Sequence, residues 1–150
     1  MHEFVIQECE DLDVIRELFS EYSQIKGAEI CFVSFGEELG NLEDYYRGGS
    51  LLVASVDGSP AGCIALRKDK DLLAELKRLY VRPAYRGQGY GRALLDAALE
   101  KAGELGFREV WFTTIPAVMS TAYEMYRRKG FQEKPEEEGV VYMWRAVSAE

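Results

Sequence analysis

Along this chain the spacing of apolar positions switches between two residues and three to four, and each switch marks a change of element. EFVIQEC (3–9) is short and rich in strand-forming residues, and it predicts a first strand. Leu12, Ile15, Leu18, Phe19, Tyr22 and Ile25 follow at steps of three and four, the spacing of one helix face. Asp11 can cap that helix at its start and Gly27 can end it. From 28 to 50 the pattern is mixed. SFGEELGNLEDYYRGG predicts a short acidic helix between glycines, either a flap beside a substrate or a plain connector. SLLVASV (50–56) and AGCIALR (61–67) read as the arms of a hairpin, with Asp57-Gly58 as a strong turn signal. DLLAELKRLYV (71–81) predicts the next strand, apolar at its ends and carrying Glu75, Lys77 and Arg78 in its middle. Pro83 closes it, because proline cannot continue a central strand.

A further helix face runs through Gly91, Leu94, Leu95, Ala98, Leu99 and Ala102, with Gly106 as its cap. REVWFTTIP (108–116) predicts a strand that stops at Pro116. AVMSTAYEMYRRKGF (117–131) predicts a helix with Val118, Ala122, Met125 and Tyr126 turned inward. Arg127, Arg128 and Lys129 suit the negative end of its dipole, and Gly130 suits the cap. FQEK, a turn at PEEEG and VVYMWRAV make a closing hairpin. The order β-α-α-β-β-β-α-β-α-β-β, without linker or repeat, predicts one α/β domain over 1–150 with a mixed sheet.

The net charge of −8 argues against a nucleic-acid partner, which needs a basic face, and against an anionic membrane surface. No apolar run is long enough to span a bilayer. MHEFVIQECED turns acidic at once, unlike a signal peptide, so a reduced cytoplasmic setting is expected. Cys9, Cys31 and Cys63 are odd in number and far apart, which disfavours a disulfide framework or a zinc site. The single histidine, His2, stands at the terminus, so histidine-based metal or triad chemistry is not expected.

Candidate chemistry centres on RGQGYG (86–91), between a strand and a helix. The first N–H groups of a helix have no partner inside it and carry partial positive charge, so they form an anion site. Glycines let a phosphate approach that backbone with no Cβ in the way. Arg86 and Arg92 add full charges, pointing to a phosphate or pyrophosphate. A Walker loop fails, because Gly91 is followed by Arg92-Ala93 rather than Lys-Ser/Thr. A dinucleotide fingerprint fails too, because Arg92 stands where its third glycine should be. A glycine-rich turn with no ligand stays open on these residues alone.

Arg86-x-x-Gly89-x-Gly91, after a strand ending LYVRP and before an amphipathic helix, resembles the acetyl-CoA loop of the GNAT superfamily of N-acetyltransferases. AELKRLYVRPAYRGQGYGRALL, with LLVASVDGSPAGCIALR before it and MSTAYEMYRRKGF after it, is similar to a bacterial form of that family, in the same order. The resemblance runs from about Phe35 to the end. It implies an α/β (α+β) fold: a mixed, mostly antiparallel sheet of about seven strands flanked by about four helices, splayed at the acetyl-CoA site. It implies that Leu79, Tyr80 and Val81 offer main-chain groups to the pantetheine arm. It also implies that the N–H groups of Arg86, Gly87, Gln88, Gly89, Tyr90, Gly91 and Arg92 hold the pyrophosphate.

Tyr126 matches the family's general acid, which protonates the departing sulfur; by periodicity alone it is a core tyrosine. Glu75 sits in an otherwise apolar strand, where a carboxylate is paired or functional. Alternation puts it on one face with Lys77 if no bulge intervenes. The resemblance implies a general base that takes the amine proton directly or through water. A surface pair with Lys77 or Arg78 is the other reading. Two positions depart from the family pattern: Met119 replaces an asparagine, and the strand at 110–114 ends in FTTIP rather than Asp-Thr.

The implied activity is acetyl transfer from acetyl-CoA to a primary amine by direct attack, with no metal. A rival of another class is an acyl-CoA-binding sensor or interaction module without turnover. The acidic segments FGEELGNLEDYY and PEEEG suit a cationic amine, on charge alone. The resemblance is compatible with a homodimer, though no sequence feature specifies one.

Overall fold

The computed structural model describes residues 3–25 and 34–148. Gly27, Cys31 and His2 lie outside these. Asp57 and Gly58 both take positive φ, 50° and 84°, as a two-residue hairpin turn requires. They join β2 (Ser50–Val56) to β3 (Ser59–Lys70). Around this hairpin stand β1 (Phe4–Glu8), β4 (Leu73–Val81), β5 (Glu109–Thr114), β6 (Gln132–Pro135) and β7 (Val141–Ala146). The seven strands form one sheet in the order β1-β2-β3-β4-β5-β7-β6. Each neighbouring pair is antiparallel except β4–β5, which is parallel. A parallel pair needs a long crossover, and α4 (Tyr90–Glu104) lies within it.

Both faces of the hairpin are covered, which is why its arms read as nearly continuous apolar runs. Leu52, Ala54, Ile64 and Leu66 point to one face, where Leu94, Leu95 and Ala98 of α4 pack with Tyr126 of α5 (Ser120–Arg128). Val53, Cys63 and Ala65 point to the other, against Ile15, Leu18 and Phe19 of α1 (Leu12–Ser23). Those three α1 side chains are fully buried, each contributing about 1.5–3 kcal/mol. Asp11 caps α1, accepting from the Asp13 N–H at 3.1 Å. Among the described residues, no helix is long and apolar enough to cross a membrane.

Several boundaries differ from the sequence expectations. α1 ends at Ser23 with Gln24 as its cap, so Ile25 lies past the helix. The acidic segment holds two short helices, α2 (Phe35–Gly40) and α3 (Leu42–Tyr45), broken at Asn41. Among the described residues the sheet is therefore flanked by five α-helices rather than four. α4 starts at Tyr90, inside the glycine motif, and Gly106 follows its cap Leu105 at φ 90°. α5 starts at Ser120, three residues later than the apolar spacing suggests, because 115–119 closes a turn in which the Val118 and Met119 N–H groups donate to the Ile115 carbonyl.

Candidate active site

β4 and β5 pair only at Leu73–Glu109, Ala74–Val110 and Glu75–Trp111. Beyond Glu75, β4 keeps β3 on one side and has no strand on the other. A bulge accompanies the parting: from Cys63 to Ala65, β3 advances two residues while β4 advances three, from Tyr80 back to Lys77. Arg78 absorbs the extra residue at φ 61°, a left-handed conformation uncommon for a side chain of this size. Consecutive Lys77 and Arg78 therefore both reach toward α2 and α3, and the parity of the strand reverses. Leu76 faces α4, and past the bulge it is Leu79 and Val81 that pack on that cluster, while Tyr80 joins α1.

The parted strands open into a cleft of about 1090 Å³. Of the cofactor-side residues expected from sequence, Leu79, Tyr80, Val81, Arg86, Gly87, Gly89, Tyr90, Gly91 and Arg92 line it. Gln88 does not: it is exposed and its Oε1 accepts from the Tyr90 hydroxyl at 3.3 Å. Gly87 and Gly89 take φ 81° and 83°, and a Cβ at either would meet nothing within 4 Å. Glycine there serves the backbone conformation and leaves the space before the α4 N-terminus clear. Arg86 folds back, donating from Nε to the Val81 carbonyl at 2.8 Å with its guanidinium over Tyr80. Arg92 pairs with no carboxylate among the described residues.

Two further cations on this wall, Arg128 and Lys129, read in the sequence only as complements to a helix dipole. Lys129 pairs with Asp96 of α4 at 2.7 Å, which sets this end of α5 beside the start of α4. Arg128 has no ion-pair partner among the described residues. Only their position beside the helix that carries the glycine motif brings them to the cleft wall.

Tyr126 is 6% exposed, its ring packed on Phe112 at 4.0 Å and Phe131 at 5.5 Å between centroids. Its hydroxyl makes no hydrogen bond with the described residues, yet it is no buried orphan, since Tyr126 lines the cleft. Burial, with a smaller contribution from Tyr22, pushes its phenol well above the ordinary tyrosine value. It stays protonated at any physiological pH, as a proton donor must. Tyr126 is thus packed in the core and also lines the cleft. Nearby, Met119 Sδ accepts from the Tyr22 hydroxyl at 3.5 Å.

At the other end of the cleft Glu75, 14% exposed, accepts from Arg67 Nε at 3.0 Å. Its partner is thus neither Lys77 nor Arg78 but its cross-strand neighbour on β3. Arg78 turns instead to Glu38 of α2, with Nη2–Oε1 at 2.6 Å and Nε–Oε2 at 3.0 Å. Both side chains are at most 5% exposed. Burial alone would raise the Glu38 carboxyl; Arg78, the donating Tyr46 hydroxyl and Lys77 outweigh it and hold the carboxyl below its usual range. One member of the acidic segment is therefore a structural anchor beneath the cleft.

A slot with one unpaired strand edge, a glycine turn into a helix start at one end and a buried phenol on its wall suits a long ligand with a phosphate at one end and a reactive group inside. Comparison with known proteins agrees. The model of the acetyltransferase (GNAT) family matches residues 12–131. An uncharacterised N-acetyltransferase of Schizosaccharomyces pombe is 30% identical over 127 residues, covering 82% of this chain and 77% of that protein. The PaiA N-acetyltransferase of Thermoplasma acidophilum, solved with coenzyme A, superposes with a TM-score of 0.77 at 19% identity, over 97% of this chain and 99% of that one. YncA of Salmonella typhimurium, solved with its cofactor acetyl-CoA, gives 0.76 at 18% identity, over 98% and 95%. The chain belongs to the GNAT family of acetyltransferases and is an acyltransferase.

Proposed function

We propose that the protein transfers the acetyl group of acetyl-CoA to a primary amine by direct attack. The observation that carries the reading is the parting of β4 and β5 after Glu75, with the glycine turn at one end and the Tyr126 hydroxyl on the wall. The free edge at Leu79–Val81 would take the pantetheine arm as an added strand. The N–H groups at the start of α4, with Arg86, Arg92 and Arg128 around them, would hold the phosphates.

Direct attack needs no enzyme nucleophile. The amine nitrogen bonds to the acetyl carbon, and the carbon–sulfur bond breaks. Tyr126 gives its proton to the leaving sulfur and recovers one from solvent. Glu75, whose Oε1 alone is engaged by Arg67, takes the proton lost by the amine, directly or through a water.

Calorimetric titration of acetyl-CoA into wild type and Gly89→Glu tests the binding half, and CoA release with a panel of amines tests the chemical half. Wild type should bind and turn over. The variant should bind at least about a hundredfold more weakly, since it strains a positive-φ position and sets a carboxylate against a phosphate. A folded wild type that binds no acetyl-CoA would sink the reading.

A further inference from the structure

The charges lining the cleft are not the charges of its acidic surroundings. Glu75 is the only carboxylate among the described residues that line it. Arg86, Arg92, Arg128 and Lys129 stand around the α4 N-terminus, where phosphates are expected. That leaves Lys77 and Arg78 beside Glu75 on β4.

Arg78 is engaged at Glu38, and Tyr46 donates to the same carboxylate at 2.6 Å. Glu38 therefore has both oxygens occupied, and Lys77 Nζ lies 3.7 Å from Oε1, beyond hydrogen-bond distance. The direct hydrogen bond of Lys77 goes to a neutral group, the Tyr45 hydroxyl, at 2.8 Å. Its ammonium has three donors, so it can serve a further acceptor. Glu75 is similarly half engaged, through Oε1 to Arg67. Asp69, the other carboxylate near Arg67, accepts from the Trp111 indole at 3.1 Å and does not line the cleft.

A carboxylate and an ammonium thus stand two residues apart on one face of β4, before the bulge, about 7 Å along the strand. Two hydrogen bonds and the short N–Cα–C link of an α-amino acid fill such a span. We infer that the acceptor is an aminocarboxylate, its amine presented at Glu75 and its carboxylate held by Lys77. The inference rests on the acetyl-transfer reading above and names its substrate class. It reverses the sign suggested by the acidic segments, one of whose carboxylates, Glu38, is consumed by Arg78.

The test is the rate of CoA release by the full chain from acetyl-CoA with matched acceptors: the common α-amino acids, their carboxamides and their decarboxylated amines. Wild type should prefer the best aminocarboxylate over its amide and amine by about tenfold to a hundredfold in kcat/KM. In Lys77→Met that ratio should collapse, mainly through a higher KM for the aminocarboxylate, and Lys77→Arg should keep most of it. Equal or reversed preference in wild type overturns the inference and leaves acetyl transfer standing. An unchanged ratio in a folded Lys77→Met removes Lys77 from recognition and overturns it too. If Lys77→Met does not fold, the wild-type ratio and Lys77→Arg decide. Acetyl-CoA bound but no acceptor of any kind acetylated overturns both readings.

Discussion

The two ends of the cleft use different materials. At the glycine turn the cleft is lined by the main chain at the start of α4, with Arg86 bonded to the Val81 carbonyl and with Arg92 and Arg128, which have no ion-pair partner among the described residues. At the Glu75 end it is lined by Glu75, Lys77 and Arg78 of β4, which are already bound to side chains of β3, α2 and α3: Glu75 to Arg67, Arg78 to Glu38, Lys77 to Tyr45. The difference teaches where each end is vulnerable. The first depends on backbone shape and tolerates most side-chain changes outside its glycines. The second is a connected set of charges, in which losing one member strands another.

The largest effect should come from stranding a buried charge. Arg78→Met leaves Glu38 at 3% exposure without its bidentate partner, and urea unfolding should show a loss of about 3–5 kcal/mol. Adding Glu38→Leu should restore much of it; failure to do so would mean Arg78 matters for the bulge rather than for the pair. The folded Glu38 carboxyl is held below its ordinary value of 4.5, so the pair's contribution is present above about that pH and fades as the pH falls through the lower folded value. Wild type should therefore lose stability on acidification over a range where the double variant loses less.

Tyr126→Phe comes next. It touches neither end, so kcat should fall by about a hundredfold or more while calorimetric acetyl-CoA affinity stays near wild type. Undiminished turnover would return Tyr126 to the core alone. Glu75→Gln should lower kcat/KM with acetyl-CoA affinity unchanged; an undiminished kcat/KM assigns the proton to water. The smallest effect belongs to the cofactor end. Arg128→Ala should weaken acetyl-CoA binding by up to about fivefold, with less salt dependence, as for a single exposed charge.

Features carried by neighbouring residues were the legible ones. The Asp57-Gly58 hairpin, the glycine turn into α4 and the cap at Asp11 all declare themselves within a few positions. The parting of the strands came from resemblance to a family, and the short β4–β5 register bears it out. What was hidden depends on distance along the chain. Glu38 read only as part of a short acidic helix, in a flap or a connector, because its partner lies 40 residues away. Arg67 gave no sign of holding Glu75 until the β3–β4 register set them side by side. The bulge was hidden for another reason: a positive φ is announced by glycine, and here an arginine adopts it. The late start of α5 was masked because Val118 keeps helical spacing with Ala122 although it sits in the preceding turn.

The bulge at Arg78 carries a consequence for descent. It divides one strand into two stretches of opposite parity. Past it, Leu79 and Val81 send their side chains into the core and would lend only their main chain to the cofactor. Before it, Glu75 and Lys77 line the cleft, where the proposal sets the acceptor. Under the proposed function, a lineage would exchange residues in the first stretch, and with them its substrate, without altering the main chain that the second stretch would lend to the acyl donor.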